Sequence, residues 1–448
     1  MVNSTPFLRT LRRSLALVLL FVLTVVPARA QSSGDGTIYS RFGIGELYSF
    51  SSPQAEAMGG GGAGLRSLNY TGFTNPALWS DQVLTRLAAG ARLRGISASD
   101  EGGASSQLTS GALQAIQFSL PLYTRKLGVG LAFKPFSRSN YRVVRRSETP
   151  LVFGSAPSDT SVFEINYEGR GGLQQFVGGV GYRVNDALSV GASVDVIFGI
   201  IEEGRRTAFE NPQFVETNST DATRLSGVTG TFGAVLTLAD VFAGDDAFSV
   251  GGSFTLPTTL SGTRVRTLSE GLDQDTLGTE VNGSVDIPWR AQLGLTYKPD
   301  ERWIVVMNGR YEPWSELSSS FNASGGGPGS FPVGGSDALT DRVRVSLGGE
   351  FLPAGTDLLE PYTARMAYRL GAYYEKSYAQ PVEDTNINTY AVTGGVSLPT
   401  LLSGTRVDLN VEVGTRGTTT QGLVRDRFYS ISLNINVGER WFRERKLR

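Results

Sequence analysis

The 448-residue sequence has no cysteine and no histidine. Thiol nucleophiles, thiolate metal sites, imidazole bases and Ser-His-Asp triads are therefore excluded. Disulfides cannot support the fold, and a lipid-modified cysteine anchor is excluded with them. Charge is sparse at 19% of residues, against a usual share of about a quarter. Lys and Arg number 41 and Asp and Glu 42, so no basic excess points to nucleic acid. No stretch beyond the N-terminus reaches the roughly 18 apolar residues of a membrane-crossing helix. Carboxylate chemistry survives these gaps, but most familiar enzyme designs do not, and no enzyme, metal or cofactor is expected. Glu270, Asp273, Asp275 and Glu280 match no calcium-loop spacing and read as a solvated loop. What the chain has in excess is glycine, 56 residues, where ~7% is usual.

The first thirty positions read as an export signal. Arg9, Arg12 and Arg13 precede an apolar run from Leu15 to Val26, and Ala28-Arg29-Ala30 has the small-x-small form of a cleavage site. The run is shorter than the roughly 20 residues that a spanning helix needs. Residues 1–30 are expected to be removed, leaving a mature chain from Gln31.

The body of the chain alternates with period two. Leu188, Val190, Ala192, Val194, Val196, Phe198 and Ile200 share one face, and Ser189, Gly191, Ser193 and Asp195 the other. Tyr429, Ile431, Leu433, Ile435 and Val437 likewise oppose Ser430, Ser432, Asn434 and Asn436. The pattern predicts strands at 84–98, 112–122, 125–138, 173–184, 187–201, 223–238, 246–258, 288–298, 302–314, 341–352, 363–376, 388–398, 405–416 and 427–437. Many are longer than the five or six residues common in soluble sheets and suit a tilted membrane crossing. Connections alternate short and long, with 99–111, 139–172, 202–222, 259–287, 315–340, 377–387 and 417–426 as the long ones. An even strand number with short periplasmic turns and long outer loops is the habit of outer-membrane barrels. The expected fold is all-β: a 14-stranded antiparallel transmembrane β-barrel over 84–442, with both termini in the periplasm. Tyr123, Tyr182, Trp289, Tyr297, Trp303, Trp314 and Tyr362 are placed to form interfacial girdles.

Residues 31–83 precede the first strand and are expected to fill the lumen as a plug. They carry Gly59, Gly60, Gly61, Gly62 and Gly64, then Asn75-Pro76-Ala77. The glycines fit G-x-G-x-x-G formally, but no βαβ unit surrounds them, so a dinucleotide site is rejected. Glycine lets a backbone approach other walls closely, and Asn-Pro starts turns. Phe42, Ile44, Leu47, Tyr48 and Phe50 form an apolar cluster with no strand partner. They are the candidate substrate-binding residues. In the third strand Gly128, Gly130 and Pro135 favour a bulge or gate, although Pro135 also suits a plain strand end. Arg342, Arg344, Arg365, Arg369, Asp195, Asp408 and Glu412 are read as inward-facing, either as a paired network or with an Arg free for a ligand carboxylate.

The A-M-G-G-G-G-A-G stretch at 57–64, the N-P-A at 75–77 and the strands that follow resemble the FadL-type long-chain fatty-acid transporters of Gram-negative outer membranes. Pro288-Trp289-Arg290, Arg302-Trp303-Ile304 and Tyr311–Ser315 are similar to that family too. Tyr39–Gly45 and Arg440-Trp441-Phe442 resemble its Bacteroidetes-type members. The basic tail 443–448 departs from the pattern by extending past the closing aromatic pair. The resemblance implies passive transport of a fatty-acid-like hydrophobic ligand, with a plug and a kink in the third strand shaping sideways release into the membrane. It also implies membrane lipids as neighbours and the barrel-assembly machinery as a partner during biogenesis. The alternative function is a scaffold or shuttle barrel with secretion-system partners of the type IX kind, without small-molecule transport.

Overall fold

The computed structural model describes residues 36–441, apart from 154–155, 212–213, 243, 271–272, 322–330, 334, 356, 358 and 403. The expected signal peptide, the start of the plug at 31–35 and the basic tail lie outside the described residues, as do the side chains of Glu270, Asp273 and Asp275.

The chain closes into an antiparallel barrel of fourteen strands. They are β1 (Thr85–Ser99), β2 (Ser105–Tyr123), β3 (Leu127–Pro135 and Tyr141–Phe153), β4 (Ala156–Arg183), β5 (Leu188–Phe209), β6 (Thr217–Ala239) and β7 (Ala247–Thr255 and Thr258–Glu270). The rest are β8 (Asp273–Ile287 and Arg290–Lys298), β9 (Trp303–Glu312), β10 (Arg342–Phe351), β11 (Ala367–Lys376), β12 (Asn388–Pro399), β13 (Arg406–Arg416) and β14 (Arg425–Glu439). Closure is made by β14 against β1, in register from Thr85 opposite Glu439 to Ser99 opposite Arg425.

Burial is inverted relative to a soluble sheet. On β13 Leu409, Val411 and Val413 are exposed, while Asp408 and Asn410 are buried. On β14 Ile431, Ile435 and Val437 face out, while Ser430, Ser432, Asn434 and Asn436 are buried. A surface of this kind is stable only in lipid, where each strand's backbone groups are satisfied by its neighbours. Trp303 stacks on Phe351 near one rim, and Trp289 lies between Phe254 and Tyr311 near the other. Trp314 is not in a girdle. It is buried inside the barrel, where its indole N–H donates to Glu312 at 2.8 Å.

Three segments expected as loops, 139–172, 202–222 and 259–287, instead continue the wall outward as the hairpins β3–β4, β5–β6 and β7–β8. Above the membrane both faces of a hairpin meet water, so the one-sided apolar pattern stops while the ladder continues. The barrel is therefore lopsided, tall on the β3–β8 side and short from β9 to β13. Prolines mark where the tall side changes course. β3 breaks after Pro135, β7 at Leu256-Pro257, β8 at Pro288-Trp289, and β9 leaves the wall at Pro313. Each lacks an N–H to donate to a ladder. Arg365, expected inside a strand, lies in the turn before β11.

Candidate functional site: the lumen and its N-terminal segment

The segment 36–83 lies against the inward face of the wall and is tied to it along its length. It contains a 3-10 turn (Ile38–Arg41), the short helix α1 (Pro53–Ala57) capped by the Ser52 side chain, and a second 3-10 turn (Pro76–Asp81). Asn75 caps that second turn by accepting from Ala77 N–H at 3.0 Å. Its amide nitrogen meanwhile donates to Ala63 O at 2.7 Å and to Ala234 O and Gly252 O on β6 and β7, both at 3.1 Å. Pro76 stands at the first turn position, where no N–H is needed, and Ala77 is fully buried.

The glycine run approaches the wall backbone to backbone. A Cβ on Gly64 would sit 2.6 Å from Gly294 O, and one on Gly59, where φ is +89°, would sit 2.8 Å from Ala372 O. The wall answers with glycines of its own, such as Gly348 and Gly371 against Met58. Gly59 N–H donates to Thr393 Oγ1 at 2.9 Å, and Arg344 donates to Gly59 O at 2.9 Å. A Cβ on Gly60 would meet the Arg344 guanidinium at 2.7 Å. A Cβ on Gly61 would run into the Asn308 side chain, whose oxygen accepts from Gly62 N–H at 2.7 Å.

The segment 36–83 carries three acidic residues, and each meets an arginine of the wall. Glu46 lies 2.9 Å from Arg94 and 2.7 Å from Arg416. Glu56 lies 2.5 Å from Arg92 and also accepts from Asn410 and Ser432, both at 2.9 Å. Asp81 lies 2.5 Å from Arg183 and 2.7 Å from Arg66. The wall pairs its own charges beside them. Arg342 bridges Glu312 and Glu375 at 3.2 and 3.1 Å, and Arg344 reaches Glu375 at 2.9 Å. Arg369 bridges Glu350 at 2.6 Å and Asp408 at 2.8 Å, with Tyr70 Oη at 3.1 Å. Of the seven charged residues read as inward, Arg342, Arg344, Arg369 and Asp408 belong to this bonded network, and Glu412 faces the same cavity while accepting from Tyr373 and Ser430. Asp195 accepts from Ser193 and Thr231 on the other side of the lumen. Arg369 is buried and its charge is already met by two carboxylates, so it is not a free cation for a ligand head group. The space within the network is a cavity of about 70 Å³ lined by Glu46, Tyr48, Glu56, Arg92, Arg342 and Arg416 among others.

Toward the tall side the inward face turns apolar. Along β5 it runs from Ser189, Ser193 and Asp195 to Ile197 and Ile201, all buried. These isoleucines join Ile44, Phe136, Leu173, Leu225, Leu260, Ile287, Trp314 and Phe321 in one cluster, and Phe42 and Leu47 pack against it. The structure thus unites three of the five candidate substrate-binding residues. It separates the other two, since Tyr48 and Phe50 border the charged cavity. Above the cluster an outer cavity of about 520 Å³ opens between Tyr141, Tyr167, Phe209, Leu268 and Val333, with Glu203, Asp221, Arg264 and Arg266 paired along its wall. Ile201 and Glu203 share a face of β5, as do Thr223 and Leu225 on β6, so the cavity's polar wall continues directly into the apolar cluster.

The third strand is interrupted, but not where its glycines stand. Gly128 and Gly130 stay in the ladder, opposite Pro121 and Ser119 on β2 and Gly181 and Gly179 on β4. Their role is clearance: a Cβ on Gly130 would sit 2.7 Å from the Trp79 ring. The break follows Pro135. Residues 136–140 turn inward, Ser137 and Arg138 pair with Leu47 and Glu46, and Tyr48 N–H donates to Phe136 O at 2.9 Å. Sequence reasoning missed Glu46, Glu56 and Asp81. The signal available was the row of arginines on the polar faces of β1, β10 and β13, whose charges need carboxylates from somewhere.

A closed, inside-out barrel holding its own N-terminal segment is a transmembrane β-barrel of the FadL type, the architecture of outer-membrane proteins. A family model described as BamG matches residues 11–448, and the chain belongs to the BamG family. No curated protein matches it. Among solved structures it is similar to a Pseudomonas aeruginosa FadL homologue, at 13% identity and TM-score 0.59, covering 87% of this chain and 99% of that one. The Ralstonia pickettii toluene transporter TbuX is similar at 15% identity and TM-score 0.56, covering 87% and 99%. The P. putida toluene transporter TodX is similar at 15% and 0.56, covering 88% and 100%. At these identities the likeness is one of fold.

Proposed function

We propose that this barrel carries hydrophobic molecules passively across the outer membrane, with residues 31–83 as the plug and with sideways release where β3 breaks. The observation that carries this reading is the outer cavity of about 520 Å³, which is of ligand size and whose wall residue Arg264 lies over the ring of Phe331, a member of the apolar cluster that contains Ile44 and Phe136. Phe136 belongs both to that cluster and to the inward break of β3, so the apolar layer reaches the one place where the wall ladder is interrupted beside β2. The toluene transporters of the same fold are consistent with a hydrophobic cargo. Burying a chain contributes about 0.8 kcal/mol per CH₂, so an apolar layer alone supports useful affinity. Phe42, Ile44 and Leu47 are the substrate contacts of this proposal. The glycines 59–62 and 64 with Asn75, Pro76 and Ala77 hold the plug, and Pro135 sets the gate. Lipids of the outer membrane surround the barrel, and the barrel-assembly machinery inserts it.

Mass spectrometry of lipids extracted from detergent-purified protein tests the reading. Hydrophobic molecules at near-stoichiometric amounts support it, and their loss on Phe42→Ser places them at the cluster. In planar bilayers the intact protein should show little steady conductance. A large constant conductance would overturn the plug.

A second reading is a scaffold or shuttle barrel in protein secretion. It is favoured by the charge-locked half of the lumen, whose cavity of about 70 Å³ holds only a few water molecules. Ligand-free protein that purifies with a stoichiometric protein partner would favour it.

A further inference from the structure

The ladder between β2 and β3 runs only from Tyr123 opposite Leu127 to Ile116 opposite Phe133. Above it β2 continues from Ala115 to Ser105 with β1 as its sole ladder partner. β3 resumes at Tyr141 with β4 as its sole ladder partner. The inward turn at 136–140 has taken β3 onto the N-terminal segment, and the two strand edges are left facing a seam. Among the described residues no backbone hydrogen bond crosses it.

The edge of β2 is guarded by one bulge, at Gln114, and by neither of the commoner devices, charge and proline. Ser105–Ala115 carries no charge and no proline, and it ends in a long extended run. It also begins at membrane depth, since Leu113 and Ile116 are exposed on the lipid-facing side with Leu87 and Leu93 of β1. Backbone N–H and C=O groups at that depth need partners, and a hydrocarbon tail offers none. Across the seam Arg142 bonds Asn166 and Arg146 pairs with Glu210, but Arg145 is exposed and has no acidic partner among the described residues.

We infer that the seam is a docking site for an extended segment of another polypeptide, which adds as a strand to the free edge of β2. The occupant has small or apolar side chains on its lipid side and an acidic residue at its outer end, facing Arg145. Ladder hydrogen bonds would supply the affinity and the charge the register. This inference does not rest on the transport reading. A strand seated there and an open side exit exclude one another in one molecule, so occupancy would also control release.

The test uses the full-length chain in its own membrane. Photo-crosslinking side chains are placed at Gln107 and Thr109, which share the outward face, and adducts are sequenced. The expected result is one partner polypeptide whose crosslinked residues step by two between the two positions, with adduct yield falling at least tenfold in Arg145→Glu. Amides 106–114 should exchange with deuterium at least tenfold more slowly in isolated outer membranes than in purified protein. Adducts only to lipid, adducts only to a second copy of this chain, or equal exchange in both preparations would each overturn the inference.

Discussion

The two sides of the lumen hold the N-terminal segment by different physics. On the short side, β10–β14 with β1 present arginines and carboxylates in bonded chains, and the segment docks by inserting Glu46 and Glu56 among them. On the tall side, β3–β8 present mainly isoleucine and leucine, and the segment docks by burying Ile44 with Phe42 and Leu47 beside it, with the Asp81–Arg183 pair as its one ionic tie there among the described residues. Ionic contacts are directional and specify one register, because a misplaced charge in a low-dielectric lumen is costly. Apolar contacts are indifferent to register and exchangeable, so a hydrophobic guest can replace a side chain there at little cost. The contrast assigns rigidity to one side and adaptability to the other.

The contrast breaks first at Arg369. Arg369→Met leaves Glu350 and Asp408 buried without a cation, and the loss should be about 3–5 kcal/mol. It would be read as a lower temperature for the unfolding shift on gels. Unchanged heat stability would show that the charged side is ornamental. Glu46→Gln is next. It keeps a hydrogen-bonding oxygen but leaves Arg94 and Arg416 without their shared carboxylate, so the cost should be about 1.5–3 kcal/mol. Limited proteolysis should then cut near residue 46 in a barrel that remains folded.

Phe42 and Phe50 sharpen the comparison, because they lie eight positions apart in the chain but on different sides of it. Phe42→Ser should weaken binding of a hydrophobic ligand about tenfold, in line with one lost aromatic contact, while Phe50→Ser leaves binding unchanged. Equal effects of the two would dissolve the division. The smallest effect belongs to the outer hairpin. Arg206 hydrogen bonds hold the Glu216 carboxyl below its ordinary range, so the pair's contribution is present above the ordinary carboxylate pKa and goes as pH falls below the lowered one. The pair is exposed, and Arg206→Ala should change stability by less than about 0.5 kcal/mol in a denaturant titration.

The wall was legible because lipid imposes a one-sided pattern. All fourteen predicted strands overlap a strand of the barrel. The pattern failed where lipid ends: Arg205, Arg206 and Thr207 continue β5 with no apolar face to announce a strand. That Phe42, Ile44 and Leu47 pack as a group was legible because no strand of the wall claims them in the sequence, although the short pairing of Leu47 with Ser137 was not foreseen. The charged part was not, because Glu46 finds Arg416 across most of the chain, and nothing local at either residue signals the other. Pro135 was legible as a break, but the inward turn it starts depends on pairing with residues 46–47, which only the folded chain brings near.

The amide of Asn75 reaches carbonyls of the segment itself and of β6 and β7, while the indole of Trp79 lies between the third strand and the turn it belongs to. Contacts this close on several strands cannot be made by threading a chain into a finished cylinder. They lead to an expected order of events during biogenesis, with the segment laid down while the sheet is open and β14 meeting β1 afterwards. A barrel refolded without residues 36–83 and then given that stretch as a separate peptide should fail to recover the heat-resistant folded form seen on gels, whereas refolding with the peptide present from the start should recover it.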